Sequence, residues 1–161
     1  MSEAGTDKGS GAEGRESNRP VVTDEPASAA TSRETYVLDS SALLCLMNDE
    51  PGADRVAAIL PRAVISTVSL AEVVTKLNEL GADADEAGAL LAPLHLVVAS
   101  FDQDTAFAAG ALRVATRGHG LSLGDRVCLA LCADRGATAL TTDKAWAGLE
   151  ESVGVAVEVL R

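Results

Sequence analysis

The sequence predicts an α/β protein in which a parallel sheet is covered by helices on both faces. Short apolar runs alternate along the chain with longer segments of helical periodicity. Such alternation is typical of parallel strands joined by crossover helices. Two of the runs lead into an aspartate, in YVLD and in TALTTD. Because parallel sheets bind ligands at the carboxyl ends of their strands, these acids indicate a functional site at that edge.

Five apolar runs are short enough to predict strands, since helices need longer periodic segments. The predicted strands cover residues 35–38, 63–66, 94–99, 138–141 and 153–160. Helical segments fill the intervals, with the turn NDEPG after the first helix and GADAD before the fourth. The predicted helices cover residues 41–47, 53–60, 69–80, 83–92, 103–116 and 123–134, with a loop at RGHG and a short helix after Asp143.

Residues 1–34 differ in composition from the rest of the chain. Small, polar and acidic residues dominate there, and only Met1, Val21 and Val22 are large and apolar. Such a segment cannot bury enough surface to offset the entropy lost on ordering it. We therefore expect residues 1–34 to form a disordered N-terminal extension and residues 35–161 to form one domain.

Composition argues against several classes of protein. No apolar run approaches the roughly 20 residues of a membrane-spanning helix, and the acidic N-terminus is unlike a secretory signal. The three cysteines, Cys45, Cys128 and Cys132, fit no disulfide framework, so we expect them in the core of a cytoplasmic protein with no membrane partner. The net charge of −11 disfavours nucleic-acid binding unless metal ions neutralise the site.

Four acids lie near the starts of predicted helices, namely Asp39, Glu72, Asp125 and Asp143. Helix capping explains each acid taken singly, and the spacings Ser69 to Glu72 and Ser122 to Asp125 fit capping boxes. Taken together, acids on one edge of a sheet would repel each other. A Mg²⁺ or Mn²⁺ ion, which prefers carboxylate oxygens, would remove that conflict. Capping and metal binding therefore both remain open on spacing alone.

Four stretches resemble, in order and context, those of PIN-domain ribonucleases and especially the VapC-type toxins of toxin–antitoxin pairs. They are YVLDSSALLCLMNDEPGADRV, ISTVSLAEVVTKL, GLSLGDRVCLALC and ALTTDKAW, and the resemblance covers residues 36 to about 160. It implies a three-layer α/β/α fold with strand order 3-2-1-4-5. It also implies a Mg²⁺- or Mn²⁺-dependent endoribonuclease, a cognate antitoxin as partner, an RNA substrate and a homodimer. The residues that it implies as metal-binding and catalytic are Asp39, Glu72, Asp125 and Asp143, with Ser40 and Thr142 in support.

Basic residues near these acids are candidates for contact with the RNA backbone. They are Lys76, Arg117, Arg126 and Lys144. The alternative for each is a solvated surface position, and Lys76 has the spacing for an ion pair with Glu72. His119, between two glycines, is a poor candidate for a general base, and the single Trp146 is expected in the core.

Two other functions share this kind of fold. One is a catalytically silent PIN-fold module for protein interaction, which would be marked by the loss of an acid, and none is lost here. The other is a receiver-like phospho-acceptor domain, which needs two adjacent acids after the first strand and an aspartate ending the third. Only Asp39 follows the first strand, and the third run, LHLVVAS, ends without an aspartate.

Overall fold

A computed structural model describes residues 35–160, and the extension predicted at residues 1–34 lies outside them. Its sheet has five parallel strands in the order β3-β2-β1-β4-β5, which confirms the predicted fold class and strand order. The strands are β1 (Tyr36–Leu38), β2 (Ala63–Ser66), β3 (Val97–Ala99), β4 (Thr138–Thr141) and β5 (Val157–Val159). Residues 35–160 contain no helix that is both long and apolar enough to cross a membrane.

The helices lie in the predicted intervals between the strands. They are α1 (Ser40–Met47), α2 (Ala53–Ile59), α3 (Thr67–Glu79), α4 (Ala84–Leu91), α5 (Gln103–Ala115), α6 (Leu123–Arg135) and α7 (Glu150–Val153). Short 3₁₀ turns cover Leu60–Arg62, Ala92–Leu94, Arg117–His119 and Lys144–Trp146. The turn Lys144–Trp146 is the short helix predicted after Asp143. The turn Arg117–His119 lies where the RGHG loop was predicted.

Two predicted strands are shorter in the structure. The third begins at Val97 rather than at residue 94, because Pro93 starts a 3₁₀ turn and His95 has a positive φ of 47°. The fifth begins at Val157 rather than at residue 153, because α7 precedes it and ends at Gly154 with a φ of 69°. Local turn geometry therefore makes both strands shorter than predicted, although all of the apolar residues in the two predicted runs except Ala156 are partly or fully buried.

Successive strand residues point to opposite faces of the sheet and form two separate cores. Leu38 packs in the core beneath α1, α3 and α4, whereas Val37 packs in the core beneath α6. Trp146 is fully buried in the second core, as predicted. The cysteines Cys45, Cys128 and Cys132 are all buried and free, which confirms their predicted place in the core.

The strand register aligns the carboxyl ends of the central strands. Leu38 pairs with Ile65 on β2 and with Leu140 on β4. Asp39 continues the ladder beyond β1 through its N–H, which donates to the carbonyl of Leu140 at 3.0 Å. The residues that follow β1, β2 and β4 therefore meet at one edge of the sheet, where α1 and α3 begin and α6 packs across.

Candidate active site

Asp39 is the most buried of the four acids, with 3% of its surface exposed. Its Oδ2 accepts hydrogen bonds from the hydroxyls of Ser41 at 2.5 Å and Thr141 at 3.0 Å. Its Oδ1 is buried and has no hydrogen-bond partner. Because a buried polar atom without a partner is costly, this oxygen is poised for a ligand that the protein itself does not supply.

The hydroxyls that hold Asp39 come from Ser41 and Thr141, one residue away on each side from the expected Ser40 and Thr142. Thr141 Oγ1 also accepts the N–H of Asp143 at 3.0 Å, and Ser41 Oγ accepts the N–H of Thr142 at 3.0 Å. Thr142 thus contributes its backbone to this network. The signal for Thr141 was its spacing from Asp143, since a threonine hydroxyl commonly accepts the N–H two residues on.

Glu72 does not cap a helix, so the capping box expected from Ser69 and Glu72 is wrong. Helix α3 begins at Thr67, and its N-cap is Ser66, whose side chain accepts the N–H of Ser69 at 2.9 Å. Glu72 lies in the second turn, where helix N–H groups already have partners within the helix. Its carboxylate instead lies against Gly124 of α6, and the side chain of Ser40 lies near enough to lower its pKa.

The other acids are caps, as their spacing allowed. Asp125 forms the predicted capping box with Ser122: its Oδ2 accepts the Ser122 N–H at 2.6 Å, and its own N–H donates to Ser122 Oγ at 3.1 Å. Asp143 Oδ1 accepts the N–H of Ala145 at 2.9 Å. Asp39 also accepts the N–H of Ser41 through Oδ2, at 3.4 Å. Each of these bonds engages one carboxylate oxygen, so capping does not exclude metal binding through the other.

The charges of the four acids act on one another. Burial raises the pKa of Glu72, and the charges of Asp39 and Asp125 raise it further, against the opposing Ser40 hydrogen bond. Burial likewise raises the pKa of Asp125, and the charges of Asp39 and Asp143 add to this, while the Ser122 hydrogen bonds oppose it. The ion pairs within residues 35–160 join Arg55 to Glu158 and Lys76 to Glu79, so neither neutralises this cluster.

The chemistry of this cluster fits Mg²⁺ or Mn²⁺. Its donors are carboxylate oxygens, which hard cations prefer, and Asp39 Oδ1 is a buried oxygen without a partner. Across the described part of the chain, no three acid, histidine or cysteine side chains lie close enough to hold one ion directly as they stand.

The basic residues considered for RNA contact differ in their surroundings. Arg126 bonds to the carbonyls of Ser122 at 3.2 Å and Ala109 at 3.3 Å, and so ties α6 to α5. Lys76 pairs with Glu79 at 2.8 Å, rather than with Glu72.

Arg117 and Lys144 are exposed, each on a turn beside the acids. His119 Nδ1 lies 3.1 Å from the Ala145 carbonyl and joins these two turns. Arg117 and Lys144 therefore lie on two turns that this hydrogen bond joins, and Lys144 directly follows Asp143.

Comparison with known proteins places this geometry in context. The sequence model of the PIN domain family matches residues 36–151, and no curated protein sequence matches the chain significantly. A toxin–antitoxin complex from Klebsiella pneumoniae shares 21% identity, with a TM-score of 0.61 over 79% of this chain and 98% of that one. VapBC2 from Rickettsia felis, bound to a promoter DNA fragment, shares 17% identity, with a TM-score of 0.62 over 79% and 99%.

A further solved structure is VapC20 from Mycobacterium tuberculosis, a sarcin–ricin loop cleaving toxin. It shares 21% identity, with a TM-score of 0.59 over 73% of this chain and 95% of that one. At such identities the likeness shows a common fold. The family match runs from β1 into α7 and includes Asp39, Glu72, Asp125 and Asp143. This protein therefore belongs to the PIN domain family.

Proposed function

We propose that this protein is a Mg²⁺- or Mn²⁺-dependent endoribonuclease that hydrolyses RNA phosphodiester bonds as the toxin of a toxin–antitoxin pair. The observation that carries the proposal is Asp39, a buried carboxylate whose Oδ1 has no partner and whose charge raises the pKa values of Glu72 and Asp125. Support also comes from the family match and from the toxins and toxin–antitoxin complexes among the structural neighbours.

In this proposal the metal is held by Asp39, Glu72, Asp125 and Asp143, directly or through water. Such an ion supplies a bound water of lowered pKa and stabilises charge on a phosphoryl group. Ser41 and Thr141 fix Oδ2 of Asp39, so Oδ1 points consistently to the ligand position. Hydrogen bonds of this kind orient carboxylate ligands and tune their affinity.

Substrate binding is proposed to use the rim near Asp143. Arg117 and Lys144 are exposed there and would hold the RNA backbone over the acids. Arg126 and Lys76 already have protein partners, so they are weaker candidates for phosphate contact. The protein carries a net charge of −11, and a local basic rim would therefore guide RNA to one edge of an otherwise repulsive surface.

The proposed partners are a cognate antitoxin and a second copy of this chain, in the cytoplasm. Two of the structural neighbours are toxin–antitoxin complexes, which supports an antitoxin. Helix α5 exposes Phe107 and Val114, at 73% and 74% of their surface, which supports an apolar contact between copies. Sedimentation velocity of the purified protein tests the dimer, and a monomer at micromolar concentration would contradict it.

Cleavage of a structured RNA by the purified protein tests the activity. Cleavage should require Mg²⁺ or Mn²⁺ and stop with EDTA, and Asp39→Asn and Asp143→Asn should each abolish it. Asp83→Asn is the matched control, because Asp83 caps α4 through the N–H groups of Asp85 and Glu86, far from the carboxyl edge. Undiminished cleavage by the two site variants would refute the site.

Growth of cells that express the protein tests the biological role. Expression should slow growth, and co-expression of the protein encoded by the neighbouring gene should restore it. Asp125→Asn should be harmless, because it lacks one proposed ligand. Equal toxicity of the wild type and Asp125→Asn would refute toxicity by nuclease action. If the protein binds the product of the neighbouring gene but cleaves no RNA, that result would favour the catalytically silent interaction module.

A further inference from the structure

Gly124 is the second residue of α6 and immediately precedes Asp125. It is buried, and its φ is not among the positive values that favour glycine in this chain. Alanine is the better residue in a helix, by up to about 1 kcal/mol in the interior. The backbone therefore does not require glycine at this position, and the reason for it must lie in what surrounds the missing side chain.

The space that a side chain would occupy at Gly124 is filled by the carboxylate of Glu72. A Cβ built on Gly124 would lie 2.8 Å from Cδ and 3.0 Å from Oε2 of Glu72, and nearer still to Oε1. These three atoms are its nearest neighbours, so the conflict is with this one group. Real Cβ atoms essentially never approach other atoms so closely, and a side chain at position 124 cannot coexist with Glu72 in its present place.

The side chain of Ser40, which follows Asp39 in the chain, also lies near enough to the Glu72 carboxylate to lower its pKa. Glu72 thus reaches from α3 to a place between the start of α1 and the start of α6. Each of these two residues is adjacent in sequence to an acid of the site, since Ser40 follows Asp39 and Gly124 precedes Asp125. The contact of Glu72 with these two residues is what brings its charge to Asp39 and Asp125.

We propose that Gly124 is a positioning residue, whose missing side chain makes the space that seats the Glu72 carboxylate among the other acids. Any side chain at position 124 displaces this carboxylate from its place against α6 and turns it away from Asp39 and Asp125. The expected effect on metal binding rests on the proposed function. The position of the Glu72 carboxylate against Gly124 does not depend on that function.

The displacement is expected to leave the fold intact. The atoms that a new Cβ meets are the far end of a flexible side chain, so Glu72 can change rotamer without a movement of α3 or α6. Gly124→Ala should therefore fold and be at least as stable as the wild type without metal, because alanine favours the helix. Loss of site function in a stable protein is what separates positioning from a general structural role.

Gly110→Ala is the matched control for this variant. Gly110 lies within α5, has no positive φ, and a Cβ there meets nothing within 4 Å. It shares a surface with Phe107, part of the proposed contact between copies, so the oligomeric state of this variant must be compared with that of the wild type. Both variants gain the same methyl group in a helix, and only one of them meets Glu72. Each variant is compared with the wild type as the full chain, with sedimentation velocity to verify an unchanged oligomeric state.

The first measurement is the crystal structure of metal-free Gly124→Ala and Gly110→Ala. Compared with the wild type, the Glu72 carboxylate should have moved away from residue 124 in the former and should keep its place against Gly124 in the latter. A Glu72 carboxylate that keeps its wild-type place in Gly124→Ala would overturn the proposal. This result does not depend on any activity. It therefore shows whether Gly124 positions the Glu72 carboxylate even if the wild type binds no metal and cleaves no RNA.

The second measurement is the Mn²⁺ concentration that raises the thermal midpoint of each protein. Gly124→Ala should need about 10–100 times more Mn²⁺ than the wild type, the range found when groups that orient metal ligands are altered. Gly110→Ala should match the wild type. In a Glu72→Ala background, adding Gly124→Ala should cause no further change, because the two substitutions act through one group.

Two outcomes of the metal titration are informative. A Gly124→Ala protein that binds Mn²⁺ like the wild type would overturn the positioning role. If Mn²⁺ does not shift the thermal midpoint of the wild type, the proposed function is refuted. The crystal structures then decide by themselves whether Gly124 positions the Glu72 carboxylate.

Discussion

The hydroxyl of Thr141 donates a hydrogen bond of 3.0 Å to the buried carboxylate of Asp39. This bond joins the last residue of β4 to the residue that follows β1. The same hydroxyl accepts the N–H of Asp143 at 3.0 Å, so one side chain links two of the four acids. Thr141 is fully buried, so bulk water cannot replace these hydrogen-bond partners of its hydroxyl.

Thr141→Val should weaken both the fold and the site. Valine keeps the shape of threonine but leaves Asp39 Oδ2 and the Asp143 N–H each without one partner, at a cost of about 1–3 kcal/mol. Metal affinity and RNA cleavage should fall at least about 10-fold. Thr142→Val is the control, because the observed contact of Thr142 is through its backbone. Urea unfolding and cleavage rates measure both effects, and a larger loss in Thr142→Val would contradict the structure.

Asp39→Asn separates a helix cap from a metal ligand. Asparagine caps about as well as aspartate, so the metal-free variant should be at least as stable as the wild type, having lost one of several like charges. Mg²⁺ at 100 times its Kd should stabilise the wild type by about 2.7 kcal/mol, and the variant should lose most of that gain. Thermal melts with EDTA and with Mg²⁺ measure this, with Asp83→Asn as control. Equal Mg²⁺ shifts in the wild type and Asp39→Asn would make Asp39 a cap only.

Metal-free protein should become more stable as pH falls from neutral. The pKa values of Glu72 and Asp125 are raised in the folded state above ordinary values of 4.5 and 3.8, chiefly by burial. The folded state therefore binds protons at Glu72 and Asp125 more tightly than the unfolded state does. The resulting stability is fully present below the ordinary values and is lost as pH rises through the raised ones.

The gain should end near pH 4, where acids of lowered pKa begin to oppose it. Asp102 and Glu158 are such acids, held by the N–H and side chain of Thr105 and by Arg55 respectively. Urea unfolding at a series of pH values with EDTA measures the slope. Glu72→Gln should reduce the slope, since one of the two acids of raised pKa is gone, and saturating Mg²⁺ should abolish it. A metal-free stability that falls steadily from pH 7 to pH 5 would contradict this prediction.

Arg117→Ala and Lys144→Ala should weaken substrate binding and leave metal binding unchanged. Each removes one exposed positive charge from the rim beside Asp143. The log–log slope of RNA affinity against salt concentration should decrease by about one for each phosphate that the variant no longer binds. Arg62→Ala is the control, because Arg62 precedes β2 and lies at the opposite edge of the sheet. The proposal for this rim fails if all three variants bind RNA with the same salt dependence.

Local sequence patterns were sufficient to predict the strands and helices. Apolar runs, turn residues and helical periodicity depend on near neighbours in the chain, and they located all five strands, the main helices and the buried cysteines. Errors at the element ends came from turns such as that at Pro93, whose geometry also depends on what the turn packs against. The order of the strands came from the family resemblance and was confirmed.

The functions of individual side chains in the site needed the tertiary structure. Two adjacent threonines are equivalent in the sequence, and the pleat of β4 with its register against β1 decided that Thr141 faces Asp39. Ser66, by capping α3, moved Glu72 beyond the first turn and made it available to the site.

The fit of Glu72 against Gly124 joins residues of two helices that are distant in the chain, so no local pattern contains it. Composition and periodicity report what each segment prefers by itself. Partners far apart in sequence are selected only when strand register and helix packing bring them within bonding distance.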